Sequence, residues 1–194
     1  MLTAMRLILW LLIFSCFFTK LAHAEKADRE KPFQLKAGKA SYDDLKQIYF
    51  FSGGVILTKG TIALHSATAE VRISPEGDEL ARAKSAPGKL VYLRQKTDNP
   101  NEFIEGYGET VEYDADKDLI RLIGKARLKR LVGNLVVDDI QGKLIIRDGL
   151  HGIYQTQGDA NAAGDDQRAR IVISPRNGKA PKQAPSLNQK EGIK

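Results

Sequence analysis

Residues 38–73 and 109–146 run through one pattern twice, and a chain that repeats a supersecondary unit is confined to folds in which the copies share a core. Ala40-Ser41-Tyr42-Asp43 aligns with Val111-Glu112-Tyr113-Asp114 at an offset of 71 residues. Ile48, Tyr49, Phe51, Gly53, Val55 and Leu57 match Leu119, Ile120, Leu122, Gly124, Ala126 and Leu128 at the same offset. After a turn two residues longer in the second copy, Ile62, Leu64, Ala67, Ala69, Val71 and Ile73 match Leu135, Val137, Ile140, Gly142, Leu144 and Ile146. Apolar and polar residues alternate, which is the period of a strand with one buried face. A sheet with one apolar face and no helix to cover it must hide that face, and a lipid is one way to do so.

The same alternation predicts strands over 33–35, 49–57, 61–74, 88–95, 103–113, 118–128, 133–146 and 168–174. Turn signals such as Lys59-Gly60, Pro75-Glu76-Gly77, Asp98-Asn99-Pro100 and Asp148-Gly149 separate them. Short strands at this spacing, without a helical period, give an all-β class. The inward parity switches within the last strand of each copy, at His65-Ser66 and at Asp138-Asp139. A switch turns a strand over unless a residue is bulged out, so a bulge or corner is expected at both places. Such corners let a sheet fold back on itself, as in jelly rolls.

The ends of the chain read differently. Residues 1–24 combine a basic start, an apolar run from Leu7 to Phe18 and the small-x-small site Ala22-His23-Ala24, the signature of a cleaved secretory signal. An uncleaved membrane anchor is the competing reading. Cys16, the sole cysteine, lies inside that run and reads as a bystander. Residues 25–175 then form one domain, and residues 176–194, rich in Lys, Pro, Asn and Gln, form a disordered basic tail. The formal net charge of +6, which falls to +4 when Arg6 and Lys20 leave with the signal, suits an exported protein that meets anionic envelope components, with nucleic acid an unpromising partner.

No catalytic constellation is legible. The mature chain offers no thiol, His65 and His151 are isolated, and no phosphate-binding, nucleophile-elbow or zinc-protease motif occurs. Neighbouring residues of a strand point to opposite faces, so Asp43-Asp44, Asp138-Asp139 and Asp165-Asp166 read as turn or bulge residues rather than paired catalytic carboxylates. The chain is therefore not expected to be an enzyme, and no cofactor or metal is implied. The inward set comprises Phe33, Leu35, Tyr49, Phe51, Val55, Leu57, Ile62, Leu64, Val91, Leu93, Tyr113, Leu122 and Leu135. It forms either a closed core or the lining of a slot for acyl chains. Arg94, Lys96, Arg127, Lys129 and Arg130 fall at outward positions, where they are either solvated or able to meet lipid phosphates.

The stretch Phe50-Phe51-Ser52-Gly53-Gly54-Val55-Ile56-Leu57-Thr58-Lys59-Gly60-Thr61-Ile62 resembles the glycine-anchored element of the OstA-like domain family. Glu105-Gly106-Tyr107, Tyr113-Asp114 and Ile123-Gly124-Lys125-Ala126 resemble its second copy. One departure is Ser85-Ala86-Pro87-Gly88, where relatives tend to carry Gly-Tyr-Gly, which occurs here at Gly106 to Gly108 and leaves the register of Val91 and Leu93 open by a residue. The resemblance implies an antiparallel β-jellyroll of two facing sheets with an open hydrophobic groove, holding lipid A acyl chains of lipopolysaccharide in the periplasm. By the resemblance Phe33, Val91, Tyr113 and Ala115 occupy lining positions, and with the inward residues of the alternation the expected lining is Phe33, Leu35, Phe51, Leu57, Ile62, Leu64, Val91, Leu93, Tyr113, Ala115, Leu122 and Leu135. The implied partners are lipopolysaccharide, an LptC-like inner-membrane subunit, the N-terminal domain of an LptD-like outer-membrane protein, and further copies stacked end to end. Two other roles fit the same strands: a membrane-anchored LptC-like subunit, and a carbohydrate-binding jelly roll, which is disfavoured because the only tryptophan, Trp10, lies in the signal.

Overall fold

A computed structural model describes residues 28, 30–159 and 168–173; the expected signal peptide, the basic tail and Asp165-Asp166 lie outside the described residues. Twelve antiparallel strands are present among them: β1 (Gln34–Lys36), β2 (Lys39–Asp43), β3 (Ile48–Lys59), β4 (Ile62–Ile73), β5 (Glu79–Lys84), β6 (Val91–Lys96), β7 (Glu102–Gly108), β8 (Thr110–Asp114), β9 (Leu119–Val132), β10 (Leu135–Asp148), β11 (Ile153–Gln157) and β12 (Arg170–Ile173). The long strands β3, β4, β9 and β10 each change partners halfway. The first half of β3 pairs with β2 and the second with β1, while β4 pairs with β6 and then with β5. Two facing sheets result, in the orders β2-β3-β4-β5-β8-β9-β10-β11 and β1-β3-β4-β6-β7-β9-β10-β12. Each long strand belongs to both, which is the jelly-roll logic expected from the sequence.

The bends sit at glycines. Gly53 and Gly54 have φ of 83° and 80°, and at the same offset of 71 Gly124 and Lys125 have φ of 73° and 47°. This left-handed backbone costs an L-residue roughly 1–2 kcal/mol and is nearly free for glycine. The two residues 53 and 54 lie opposite Ala67 alone, between the pairs Ser52↔Thr68 and Val55↔Ser66. Gly124 and Lys125 lie opposite Lys143 in the same way. The expected corners therefore exist, but the extra residues are on β3 and β9, the partners of the strands where they were expected. In the second copy the corner is at Lys143, not at Asp138-Asp139, beside which Val137 forms a separate irregularity.

The repeat is larger than the sequence pattern. Leu57↔Leu64 in the first copy corresponds to Leu128↔Ile140 in the second, so β4 and β10 align at an offset of 76 rather than 73. The β9–β10 hairpin is longer by the pairs Leu131↔Val136 and Val132↔Leu135, and Val137 is unpaired in register. The odd shift reverses parity, so Ile145 and Arg147 face inward on β10 instead of Leu144 and Ile146. With this alignment β1–β6 and β7–β12 are two copies of one six-strand unit. Leu35↔Leu57 recurs as Gly106↔Leu128, Thr68↔Lys84 as Leu144↔Gln157, and Leu64↔Leu93 as Ile140↔Ile171.

Not every strand follows a simple reading of alternation. The buried inward positions of β5 are both alanine, Ala81 and Ala83, and β11 is an exposed edge. The segment 103–113 is two strands, β7 and β8, because Glu109 turns the chain between sheets and gives its N–H to Gly124 O at 2.9 Å. Gly53→Val would force a β-branched residue into φ 83°, with its Cβ 3.3 Å from Gly38 Cα. A loss of about 2 kcal/mol in urea unfolding is expected, while Ser52→Ala beside it should stay within about 0.5 kcal/mol.

Candidate functional site

The space between the sheets is the candidate site. Its walls follow from the period-2 rule: Val55 and Leu57 on β3, Ile62 and Leu64 on β4, and Val91 and Leu93 on β6 point in from one sheet. Ala81 and Ala83 on β5, Val111 and Tyr113 on β8, and Leu122 on β9 face them from the other. All but Val55, which is buried apart from them, belong to one apolar cluster, with Phe33, Leu35, Tyr49 and Phe51 half-buried against it. Phe33 meets Tyr113 edge-on with ring centroids 6.3 Å apart.

The sequence-predicted residues divide into three groups. Leu57, Ile62, Leu64, Val91, Leu93, Tyr113, Ala115 and Leu122 are buried together, and the register of β6 left open by the sequence places both Val91 and Leu93 inward. Phe33, Leu35 and Phe51 stand half-exposed toward the β1–β2 end. Leu135 does not join them. It sits on the extended tip of the β9–β10 hairpin, 52% exposed, because that hairpin outruns the sheet.

The slot is shut in this structure. Phe33, Leu57, Leu93, Val111 and Tyr113 help to bound a residual cavity of only about 10 Å³, barely room for a single water. A larger depression of about 510 Å³ lies beside β2, lined by Lys39, Ser41, Phe50, Thr68, Arg82 and Lys84 among others.

Polar residues that the sequence reading missed edge the interior. The last inward position of several strands, on the side away from the glycine corners, is polar: Lys59 follows Leu57, Gln95 follows Leu93, Arg147 follows Ile145, and Glu79 precedes Ala81. Lys59, Gln95 and Arg147 are buried. Strand parity carried the signal, since each lies two residues from an inward apolar one.

Most of the cations expected to face outward are held by neighbouring groups. Arg94 reaches Glu105 at 2.7 Å, Arg127 reaches Asp139 at 2.5 Å, and Arg130, inward like Leu128, pairs with Asp138 and Glu102. Lys129 lies 5.6 Å over the Tyr107 ring. Burial and the Glu105 charge push the Tyr107 phenol up to about 12. Burial alone would raise the Asp139 carboxyl, but the Arg127 guanidinium holds it below the usual range. His65 is exposed beside Tyr92, and His151 is exposed and 2.8 Å from Asp148. Asp43 accepts from the Lys46 N–H, as a turn residue does, and Asp138 and Asp139 go to different arginines. Among the described residues no three His, Cys, Asp or Glu side chains gather as a metal would require, and no helix is long and apolar enough to cross a membrane.

Comparison with known proteins places this geometry. Residues 34–152 match the family described as LptA/(LptD N-terminal domain) LPS transport protein. The lipopolysaccharide export system protein LptH of Pseudomonas aeruginosa is 26% identical over 131 residues, 66% of this chain and 74% of that one. The lipopolysaccharide export system protein LptA of Escherichia coli K12 is 29% identical over 119 residues, 61% of this chain, and the match spans 63% of the relative's length. A crystal structure of LptH, the LptA homologous periplasmic component of the conserved lipopolysaccharide transport device of P. aeruginosa, superposes with a TM-score of 0.66. That match has 23% identity and covers 77% of this chain and 99% of the other, a likeness of fold.

Truncating the interior and the hairpin tip should separate slot from surface. Leu122→Ala is expected to cost about 2–5 kcal/mol in chemical unfolding, and Leu135→Ala less than about 0.5 kcal/mol.

Proposed function

Because the chain belongs to the LptA/(LptD N-terminal domain) family of lipopolysaccharide-transport proteins, we propose that it is a non-enzymatic periplasmic carrier. It shelters lipid A acyl chains between its two sheets and bridges the inner and outer membranes by end-to-end assembly. The lipid role is supported by an apolar interior whose two walls share backbone ladders only where the long strands bend from one sheet into the other. Such walls can part without unpairing a ladder. Burial of acyl surface contributes roughly 25 cal/mol per Å², enough for several hundred Å² to compete with the closed core.

The observation that carries the bridging role is the joint inside the molecule. The first unit meets the second through β5 on β8 and β6 on β7. By the repeat, β11 and β12 are the counterparts of β5 and β6, while β2 and β1 are those of β8 and β7. An unpaired edge is a template for strand addition. A second copy docked on the internal pattern would set Thr156 beside its Ala40, as Ala83 lies beside Val111. It would also set Ile171 beside its Leu35, as Leu93 lies beside Gly106. Ile171 and Ile173, 54% and 70% exposed, would be covered by Leu35 and Phe33 of the next copy, and the apolar lining would run on without a break.

The self-joint is weaker than the internal one. Arg82–Glu112 and Arg94–Glu105 tie the internal joint at 2.8 and 2.7 Å. Their counterparts would be Gln155 with Ser41 and Val172 with Gln34, so stacking is reversible. An LptC-like inner-membrane subunit and the N-terminal domain of an LptD-like outer-membrane protein, presenting the same edges, would take the two ends of the stack.

A photo-crosslinking residue at Phe33 or Tyr113 should yield a lipopolysaccharide adduct in cells, and one at Arg94 should not; adducts from Arg94 alone would refute the slot. A chain carrying Ala40→Cys and Thr156→Cys should form a ladder of disulfide-linked oligomers. An equal ladder from Tyr42→Cys with Thr156→Cys would show that the register is wrong.

A further inference from the structure

We propose that a polar clasp along the rim opposite the glycine corners holds the slot shut and has to part before an acyl chain enters. The proposal rests on the lipid-transport reading above and adds the gate that reading needs.

Two contacts cross from sheet to sheet at this rim. Lys59 Nζ, at the end of β3, donates to Glu79 Oε2 at 2.8 Å, at the start of β5 in the facing sheet. The same ammonium donates to Lys31 O at 2.5 Å and stands 4.6 Å over the Phe33 ring. Further along, Arg147 Nη1 on β10 donates to Gln95 Oε1 on β6 at 3.3 Å and lies 4.0 Å from Asp118 Oδ1. Gln95 Nε2 in turn donates to Asp28 Oδ2 at 3.3 Å, and Asp28 also accepts from Thr61 N at 2.6 Å and Thr61 Oγ1 at 2.5 Å.

These groups are not solvated rim residues. Lys59, Gln95, Arg147, Asp28 and Asp118 are each exposed by 2% or less. A buried ion pair stabilises little on balance, because the desolvation of its charges offsets most of the attraction. That weakness suits a gate. When the rim parts, the ammonium, guanidinium and carboxylates regain water, so opening costs less than separating an apolar seam of the same length. The direction of the contacts still fixes how the sheets meet when shut. The clasp belongs to the first unit and the middle of the slot. In the second unit the counterpart of Lys59 is Arg130, which is held within its own sheet by Asp138 and Glu102. Glu79 is the accessible member of the Lys59 pair, its side chain 30% exposed, and glutamine there keeps an oxygen to accept from Lys59 while removing the charge.

The test uses the full chain with spin labels at Glu76→Cys and Lys96→Cys, on opposite lips of the rim. Adding Glu79→Gln should lengthen and broaden the label distances without lipid and speed uptake of lipopolysaccharide several-fold. Lys59→Met should act in the same direction and guards against an effect peculiar to Glu79. Distances that match the parent in both variants overturn the clasp. A wider rim with unchanged uptake overturns its role as a gate. Widening in the variants with no uptake by any of the proteins, parent included, overturns the transport reading itself, so the two failures are told apart.

Discussion

Left-handed backbone at Gly53-Gly54 and Gly124-Lys125 is the constraint on which everything else in this molecule depends. It lets single strands of 12 to 14 residues serve in two sheets. The apolar face of each strand then folds onto the apolar face of the same strand's other half. Core and slot are consequently one surface. What stabilises the protein alone, the contact of Leu93 and Leu57 with Val111 and Tyr113, is what a lipid would replace. Under the proposed function, loading would exchange one burial for another of the same kind, and its net cost would be a difference between two similar numbers.

Repetition extends this logic along the axis. The six-strand unit recurs down to its first turn, where Lys31 N–H to Asp28 O is repeated as Glu102 N–H to Asn99 O. A chain that already joins two units through a pair of strand edges carries the geometry for joining a third. The proposed joint between copies would differ in chemistry: arginine–glutamate pairs tie the internal joint, whereas amide, hydroxyl and apolar side chains would meet in the outer one. Ion pairs on a surface are worth little individually, but they set register, and without them the outer joint would rest on backbone pairing and on Ile171 and Ile173.

Much of this was legible in the sequence, for identifiable reasons. Strong alternation at 48–57 and 119–128 fixed the class, the repeat and most of the buried set. The third strand of the repeat is misaligned by its sequence pattern because Val137 and a longer hairpin add three residues; Ile140 still faces inward, but Ile145 and Arg147 replace Leu144 and Ile146. The same slip put Leu135 in the lining, when it stands at an overhanging tip. β5 was invisible because its inward residues are alanines, which pack well against aromatic neighbours but give a faint periodic signal. The polar rim was missed for the opposite reason: Lys59, Gln95 and Arg147 hold inward positions, and polarity was read as exposure.

The central claim is that the two sheets part and that hydrocarbon takes the place of their mutual contact. A crystal structure of the protein with bound lipopolysaccharide tests it most directly. The account predicts acyl chains between the sheets, touching Leu93, Val111 and Tyr113, with the corners at Gly53 and Gly124 unchanged and the far rim spread. Lipid bound instead on an outer face, such as the depression beside Lys39 and Lys84, above an interior still filled by its own side chains, would contradict it.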